Sequence, residues 1–225
     1  MTSPSGNFET FFNTWMNHQE SLFQQLLVAI APENAQNTEL HKSLIAQIQS
    51  HYKLYYMEKM NATRDDAFVF LNPPWFSSFE RTLLWLGEFK PSMIFKLIDR
   101  YLVDLTPDQR QRIEQVKYEA RRQERALTET MAKIQESLAS PPILNLARRH
   151  GRLIDGEVSE MEAAVEMLKM DMIAVMESAD ALRGWTVANV VEVLSPIEAV
   201  RFFAAAAELQ LRMRRLGQRM EAERN

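Results

Sequence analysis

The chain has no cysteine, only six glycines, and no uncharged run longer than about twelve of its 225 residues. Without cysteine there is no disulfide scaffold, no thiolate-bound zinc, no iron–sulfur cluster and no thiol nucleophile. So few glycines leave little for phosphate-cradling loops or barrel corners. The longest uncharged runs, such as Ser21 to Pro32, fall short of the roughly 20 apolar residues that cross a bilayer. Residues 1–7, MTSPSGN, show neither a basic start nor an apolar stretch, so no secretory signal is read there and disorder is expected.

Signatures of chemistry are equally scarce. His18, His41, His51 and His150 are scattered, none at the spacing a helical metal site uses. The GxSxG, Walker and GxGxxG patterns are missing. Asp65-Asp66 lacks a second carboxylate one turn later, where Val69 and Phe70 stand, and reads as a solvated helix face. Nothing supports catalysis, and no metal, cofactor or catalytic residue is assigned.

Leucine, alanine, methionine, glutamate and arginine are abundant instead, the composition of helices. Phe8, Phe11, Phe12, Trp15, Leu22, Leu26 and Ile30 recur every three or four residues, a first helix ending near Pro32. Leu40, Leu44, Ile48, Tyr52, Tyr55 and Lys59 mark a second from about Asn37, expected to run on towards Phe70 before Asn72-Pro73-Pro74. Ser77-Ser78-Phe79-Glu80 has the form of a capping box, and the helix it opens is expected to reach Gly87. Pro91-Ser92 restarts the chain into Met93 to Leu102. Thr106-Pro107-Asp108-Gln109 and Ser195-Pro196-Ile197-Glu198 each combine a hydroxyl cap, a proline at the first helical position and Gln or Glu at the third.

Val158, Met161, Val165, Leu168, Met172, Val175, Ala179 and Leu182 form a stripe in alternating threes and fours. Bundle packing within the chain is the preferred reading, with dimerisation through the stripe left open. Met161, Met167, Met170, Met172 and Met176 read as core filling, or as an adaptable partner or ligand groove. The expected architecture is all-α, a single bundle of about seven to nine helices, with the Gly151 to Glu157 loop as its best joint.

Net charge is −4, which argues against a general nucleic-acid binder. It is unevenly spread: Asp155 to Glu198 holds ten acidic against two basic residues, whereas Arg201 to Asn225 holds six basic against three acidic. The bland reading is solvated faces. The sharper one is a basic terminal helix that docks an acidic partner or membrane surface.

Several motifs together resemble the plant Delay-of-Germination (DOG-type) domain, which also forms the carboxy-terminal part of TGA-type bZIP transcription factors. They are Trp15 with Gln19, the His51 to Lys59 run, Pro73-Pro74-Trp75-Phe76-Ser77-Ser78-Phe79-Glu80-Arg81, Trp85-Leu86-Gly87 before Pro91-Ser92, and Ile134 to Ser137 before Pro141-Pro142. Ala179-Asp180 with Leu182-Arg183, Leu194-Ser195-Pro196, and Ala205 to Leu211 with Gly217 complete the set. The resemblance covers residues 8–217, leaving 218–225 as a charged tail. It implies a non-enzymatic regulatory module, nuclear or cytoplasmic, whose partners are proteins: phosphatases, transcription factors or coactivators. Seed dormancy and abscisic-acid signalling are the implied setting. A divergent branch acts in pollen-aperture formation, so a membrane- or polarity-associated organiser is the alternative, and a direct DNA-binding regulator another.

Three departures qualify it. The resemblance begins within ten residues of Met1, so the basic region and zipper of the TGA factors are not seen and DNA association is expected to be indirect. The family's founding member is linked to haem through two histidines on its last helix. Gln210 and Arg214 stand at the matching positions, which argues against haem and leaves an apolar ligand in a helix pocket as the open case. Glu88 and Lys90 replace the usual Gly and Arg. Candidate interaction residues are Trp75, Phe76, Ser78, Glu80, Arg81, Glu88, Lys90, Arg212, Arg214, Arg215 and Arg219. Trp75, Phe76 and Trp85 are also expected to anchor the core, and Glu80 and Arg81 to cap or pair.

Overall fold

The computed structural model describes residues 4–137, 139, 144 and 155–224. Eight α-helices account for most of them: α1 (Pro4–Ala29), α2 (Thr38–Asp65), α3 (Ala67–Leu71), α4 (Ser78–Arg81), α5 (Met93–Tyr101), α6 (Pro107–Ser137), α7 (Asp155–Val193) and α8 (Pro196–Ala222). A single 3₁₀ turn, Pro32–Asn34, joins α1 to α2. The described residues form no strand beyond one isolated bridge, Trp85 to Glu88. The all-α expectation is met. Pro141-Pro142, His150 and most of the expected joint at Gly151 lie outside the described residues; its last part, Asp155 to Glu157, is the first turn of α7. Residues 1–3 also lie outside, and α1 is helical from Pro4, while α8 runs through the expected tail to Ala222.

Two expected helix boundaries differ. The helix expected to run towards Phe70 breaks at Asp66, which is extended (φ −145°). Its carboxylate accepts hydrogen bonds from the Phe68 and Val69 amides at 3.1 and 3.3 Å, so Asp66 is the N-cap of α3 rather than part of a solvated face. The Ser77 helix stops at Arg81 instead of reaching Gly87. Leu86 (φ 49°) and Gly87 (φ 79°) are both left-handed. The Trp85 amide donates to the Glu88 carbonyl at 2.7 Å and the Glu88 amide returns the bond at 3.3 Å. That is a two-residue turn of the kind that needs positive φ at both central positions. A side chain at Gly87 would also meet the Phe70 carbonyl oxygen at 2.9 Å. Apolar residues Leu83 to Leu86 hid the turn behind a helical composition.

The remaining caps are as the sequence predicts. Ser77 and Glu80, Thr106 and Gln109, and Ser195 and Glu198 each exchange the reciprocal bonds of a capping box. The second and third boxes also touch, since Gln109 Nε2 donates to Glu198 Oε2 at 2.8 Å and to the Val193 carbonyl at 3.1 Å. This fixes the start of α6 against the α7–α8 corner.

Helices α1, α2 and α8 pack mutually, α5 lies on α8, and α6 runs beside α7. One apolar cluster joins Leu22 and Leu26 of α1, Leu44 and Ile48 of α2, Phe95 and Ile98 of α5, and Val200 and Phe203 of α8. A second, rich in aromatics, holds Phe8, Phe12, Trp15, Tyr55, Phe70, Trp75 and Phe76. The α7 stripe divides. Met172, Val175, Ala179 and Leu182 are buried, whereas Val165 is 49% exposed, and Met167 and Met170 (69% and 56%) lie on the solvent side. The five methionines therefore do not share one role: Met172 and Met176 fill core, and Met167 and Met170 do not.

Gly217 and Gly184 make a paired test. A Cβ on Gly217 would lie 1.9 Å from Ser77 Oγ, so α8 presses against α4 only because that hydrogen is small. A Cβ on Gly184 would meet nothing within 4 Å. Gly217→Ala should destabilise by about 1–3 kcal/mol through overpacking. Gly184→Ala should stabilise by roughly 0.5–1 kcal/mol through helix propensity. Urea unfolding of both variants should show midpoint shifts of opposite sign.

Candidate functional site

The Trp85–Phe89 turn is held by an ionic clamp from α7. The Arg183 guanidinium donates to the carbonyls of Trp85, Leu86 and Phe89, and also to Asp180 one helical turn back. Asp180 in turn accepts from Lys59 Nζ of α2 at 2.8 Å. Lys59 is 1% and Arg183 5% exposed. Burial pulls the Lys59 ammonium below its usual range, and Asp180 opposes that pull. Glu88, also buried, accepts the Tyr55 hydroxyl proton at 2.5 Å. Burial, then the Glu88 charge, pushes the Tyr55 phenol well above its ordinary value.

Trp85, expected in the core, is instead carried to the surface, because the turn that replaces a continued helix swings it away from the aromatic cluster. Its ring lies near two cations, Lys90 Nζ at 5.8 Å and the Arg183 guanidinium at 5.4 Å. Its indole N–H donates to Thr128 of α6 at 3.0 Å. Lys90 also stands 3.7 Å from buried Glu124, whose other oxygen accepts the Ser92 amide.

Beside the clamp opens a cleft of about 690 Å³ between α2, the 88–97 segment, α7 and α8. Its walls are largely apolar, with Met57, Met60, Ile94, Leu97, Val187 and Phe203 among them.

The proposed interaction residues separate by burial. Trp75, Phe76 and Glu80 are buried and build the aromatic core and the α4 cap, as their expected anchoring and capping roles require. Ser78 is half-buried and gives its amide and hydroxyl protons to Glu221 of α8, at 2.7 and 3.1 Å. Arg81, also half-buried, donates to the Pro73 carbonyl at 3.4 Å. Glu88 faces inward and Lys90 is half-exposed. Arg214 is largely buried, bonded to the Trp75 carbonyl at 3.0 Å and to Asn13 at 3.2 Å, and 3.7 Å from Glu80. Arg212, Arg215 and Arg219 are exposed on one face of α8. Arg212 pairs with Glu208, and Arg215 with Glu20 of α1. The structure thus draws the Pro73 to Arg81 run onto α8 and leaves the surface to Lys90 and the three outer arginines.

Sequence reasoning passed over Lys59, Asp180 and Arg183 as a unit. The signal was present: Lys59 falls on the apolar face marked by Tyr52 and Tyr55, and a lysine there requires a buried counter-charge. Separation by 121 positions along the chain hid the partner.

Comparison with known proteins decides the family. The model described as "Seed dormancy control" (DOG1) matches residues 22–100. Protein ZW2 of Arabidopsis thaliana is 43% identical over 223 residues, 96% of this chain and 99% of that protein. The chain belongs to the DOG-type family. Protein RESPONSE TO ABA AND SALT 1 of Arabidopsis thaliana is 40% identical over 95% of this chain and 96% of its own length. Transcription factor HBP-1b(c38) of Triticum aestivum is 30% identical over 95% of this chain and 66% of its own. TGA-type factors of Arabidopsis thaliana match at lower identity. This DOG-type chain is therefore a plant protein of a regulatory family related to transcription factors. Among its described residues, no helix is long and apolar enough to cross a membrane.

Two outcomes test this geometry. Asp180→Ala leaves two buried cations without their shared counter-charge and should cost about 3–5 kcal/mol. Arg64→Ala, removing an exposed pair with Glu177, should cost about 0–1 kcal/mol. Chemical denaturation measures both. The second outcome concerns pH. His51 stacks on Trp15 at 4.3 Å, and burial, then His18, holds its pKa down from 6.5 to about 4. The unfolded chain therefore takes up that proton first, so stability falls as pH drops from 6.5 towards 4 and levels off below. His51→Phe should flatten that part of the stability profile relative to wild type.

Proposed function

We infer that this DOG-type protein is a non-enzymatic regulator that works by binding protein partners in abscisic-acid and dormancy signalling, in the nucleus or in nucleus and cytoplasm. The observation that carries the reading is the near end-to-end similarity to RESPONSE TO ABA AND SALT 1, together with the relation to transcription factors. Phosphatases, transcription factors and coactivators are the partner classes. The surface that fits such partners is the arginine face of α8, where Arg212, Arg215 and Arg219 repeat at spacings of three and four. An acidic partner surface complements it, and such charge acts chiefly on association rate and choice of partner.

DNA association is indirect in this reading. A chain of net charge −4 with one short arginine face offers few phosphate contacts, so binding to duplex DNA should be weak and steeply salt-dependent. Haem does not enter either. Gln210 Oε1 accepts from Gln19 and Tyr52 at 3.0 and 3.4 Å, and Arg214 is bonded as above. An amide already accepting and a guanidinium with no acceptor lone pair do not fit axial ligands.

Affinity capture from plant extract with tagged wild type and an Arg212→Glu, Arg215→Glu, Arg219→Glu variant tests the reading. Phosphatases or transcription factors should be enriched on wild type and lost on the variant, with helical circular dichroism unchanged. Capture of membrane or polarity proteins by both would favour the organiser reading. Tight, sequence-selective binding to duplex DNA at physiological salt would overturn the indirect role.

A further inference from the structure

We propose that the cleft between α2, α7 and α8 is a binding site for a small, neutral, mostly apolar molecule that ends in a hydrogen-bond donor such as a hydroxyl. Its volume, about 690 Å³, falls within the roughly 300–1,000 Å³ of pockets that hold small ligands. Aliphatic, methionine and phenylalanine side chains make most of its wall, among them Met57, Met60, Leu97 and Phe203.

Two polar groups break that wall, each with one oxygen open to the cleft. Glu88 lines the cleft and is 6% exposed. Its Oε2 takes the Tyr55 proton, while Oε1 receives no hydrogen bond from the described residues. Tyr56 also lines the cleft, half-buried, and its hydroxyl makes no hydrogen bond with them. Neither oxygen is sealed from solvent, so a ligand entering the cleft must replace the water's hydrogen bonds there or leave the groups bare, which costs free energy.

The remaining charges at the cleft do not call for an anion. Arg183 spends its donors on Asp180 and the turn carbonyls, and Asp180 spends its charge on Lys59 and Arg183. Lys53, Lys90 and Glu177 also line the cleft, and Lys53 and Lys90 are engaged by solvent or by Glu124. A ligand carboxylate seated deep would meet the Glu88 carboxylate, and like charges in a poorly solvated recess repel. A hydroxyl satisfies Glu88 and Tyr56 at no such cost.

Titration calorimetry with 1-decanol and with decanoate, matched in chain length, tests the site on the full chain. 1-Decanol should bind at one site per chain, and decanoate at least about tenfold more weakly. Glu88→Gln should bring the two affinities together, since the amide keeps an acceptor and loses the charge. Ala206→Phe fills the cleft from α8 without touching the clamp and should abolish 1-decanol binding, with helicity retained. Equal or tighter binding of decanoate to wild type would overturn the ligand class. Undiminished 1-decanol binding to a folded Ala206→Phe chain would overturn the site. Neither result bears on partner capture through the α8 arginines, so the two readings fail separately.

Discussion

The buried triad of Lys59, Asp180 and Arg183 is the constraint on which the centre of this fold depends. A lone ammonium or guanidinium in such a place would be prohibitively desolvated. Asp180 makes both tolerable, and in doing so fixes α2 against α7 at one register. Such an ionic core is weak evidence for stability, because well-packed apolar residues often do as well. What it supplies here is position. Arg183 reaches three backbone carbonyls of a turn whose Leu86 sits at φ 49°, a conformation that costs a non-glycine residue roughly 1 kcal/mol or more. The turn keeps that shape because its outward carbonyls are gripped from the helix beneath.

A second lock, at the far end of α8, follows different physics. Ser77 and Glu80 close their own capping box, and α8 then presses Gly217 directly onto Ser77. Glu221 and Arg214 extend from α8 to the Ser78 amide and the Trp75 carbonyl. Backbone groups that a four-residue helix cannot satisfy are thereby satisfied by side chains from another element. The ionic clamp holds the turn before α5, and the glycine contact holds the turn before α4. Both turns interrupt what would otherwise be a uniform stack of helices.

Periodic apolar residues showed the long helices, and hydroxyl–proline–carboxylate or hydroxyl–proline–amide patterns showed where two of them start, because both signals act over neighbouring residues. The Trp85 to Glu88 turn was illegible for the opposite reason. Leu83, Leu84 and Leu86 favour a helix locally, and the guanidinium that grips the reversal lies nearly a hundred positions away. Asp66 was misread because a carboxylate that caps a new helix and one that decorates an old one look alike until the break is known. At the candidate site, the arginines were legible as charge. Their division into buried Arg214 and exposed Arg212, Arg215 and Arg219 was not, since it depends on where α1 and α4 come to rest.

The motif with the most distinctive composition, Pro73 to Arg81, therefore turns much of that composition inward. Its tryptophan, phenylalanine and glutamate are consumed in closing the fold, and Arg214 is drawn inward to help. What the packing leaves outside on α8 is charge. Arg212, Arg215 and Arg219 share one face because residues three and four apart on a helix are neighbours, with Arg215 reaching Glu20 at the edge of α1, while α4 takes Arg214 and Gly217. Glu88 is the exception that links the two regimes. It belongs to the clamped turn through its backbone bridge to Trp85, and to the cleft through its carboxylate. A change at that one position alters an internal turn and the lining of a cavity together, whereas a change at Arg212 alters only the surface.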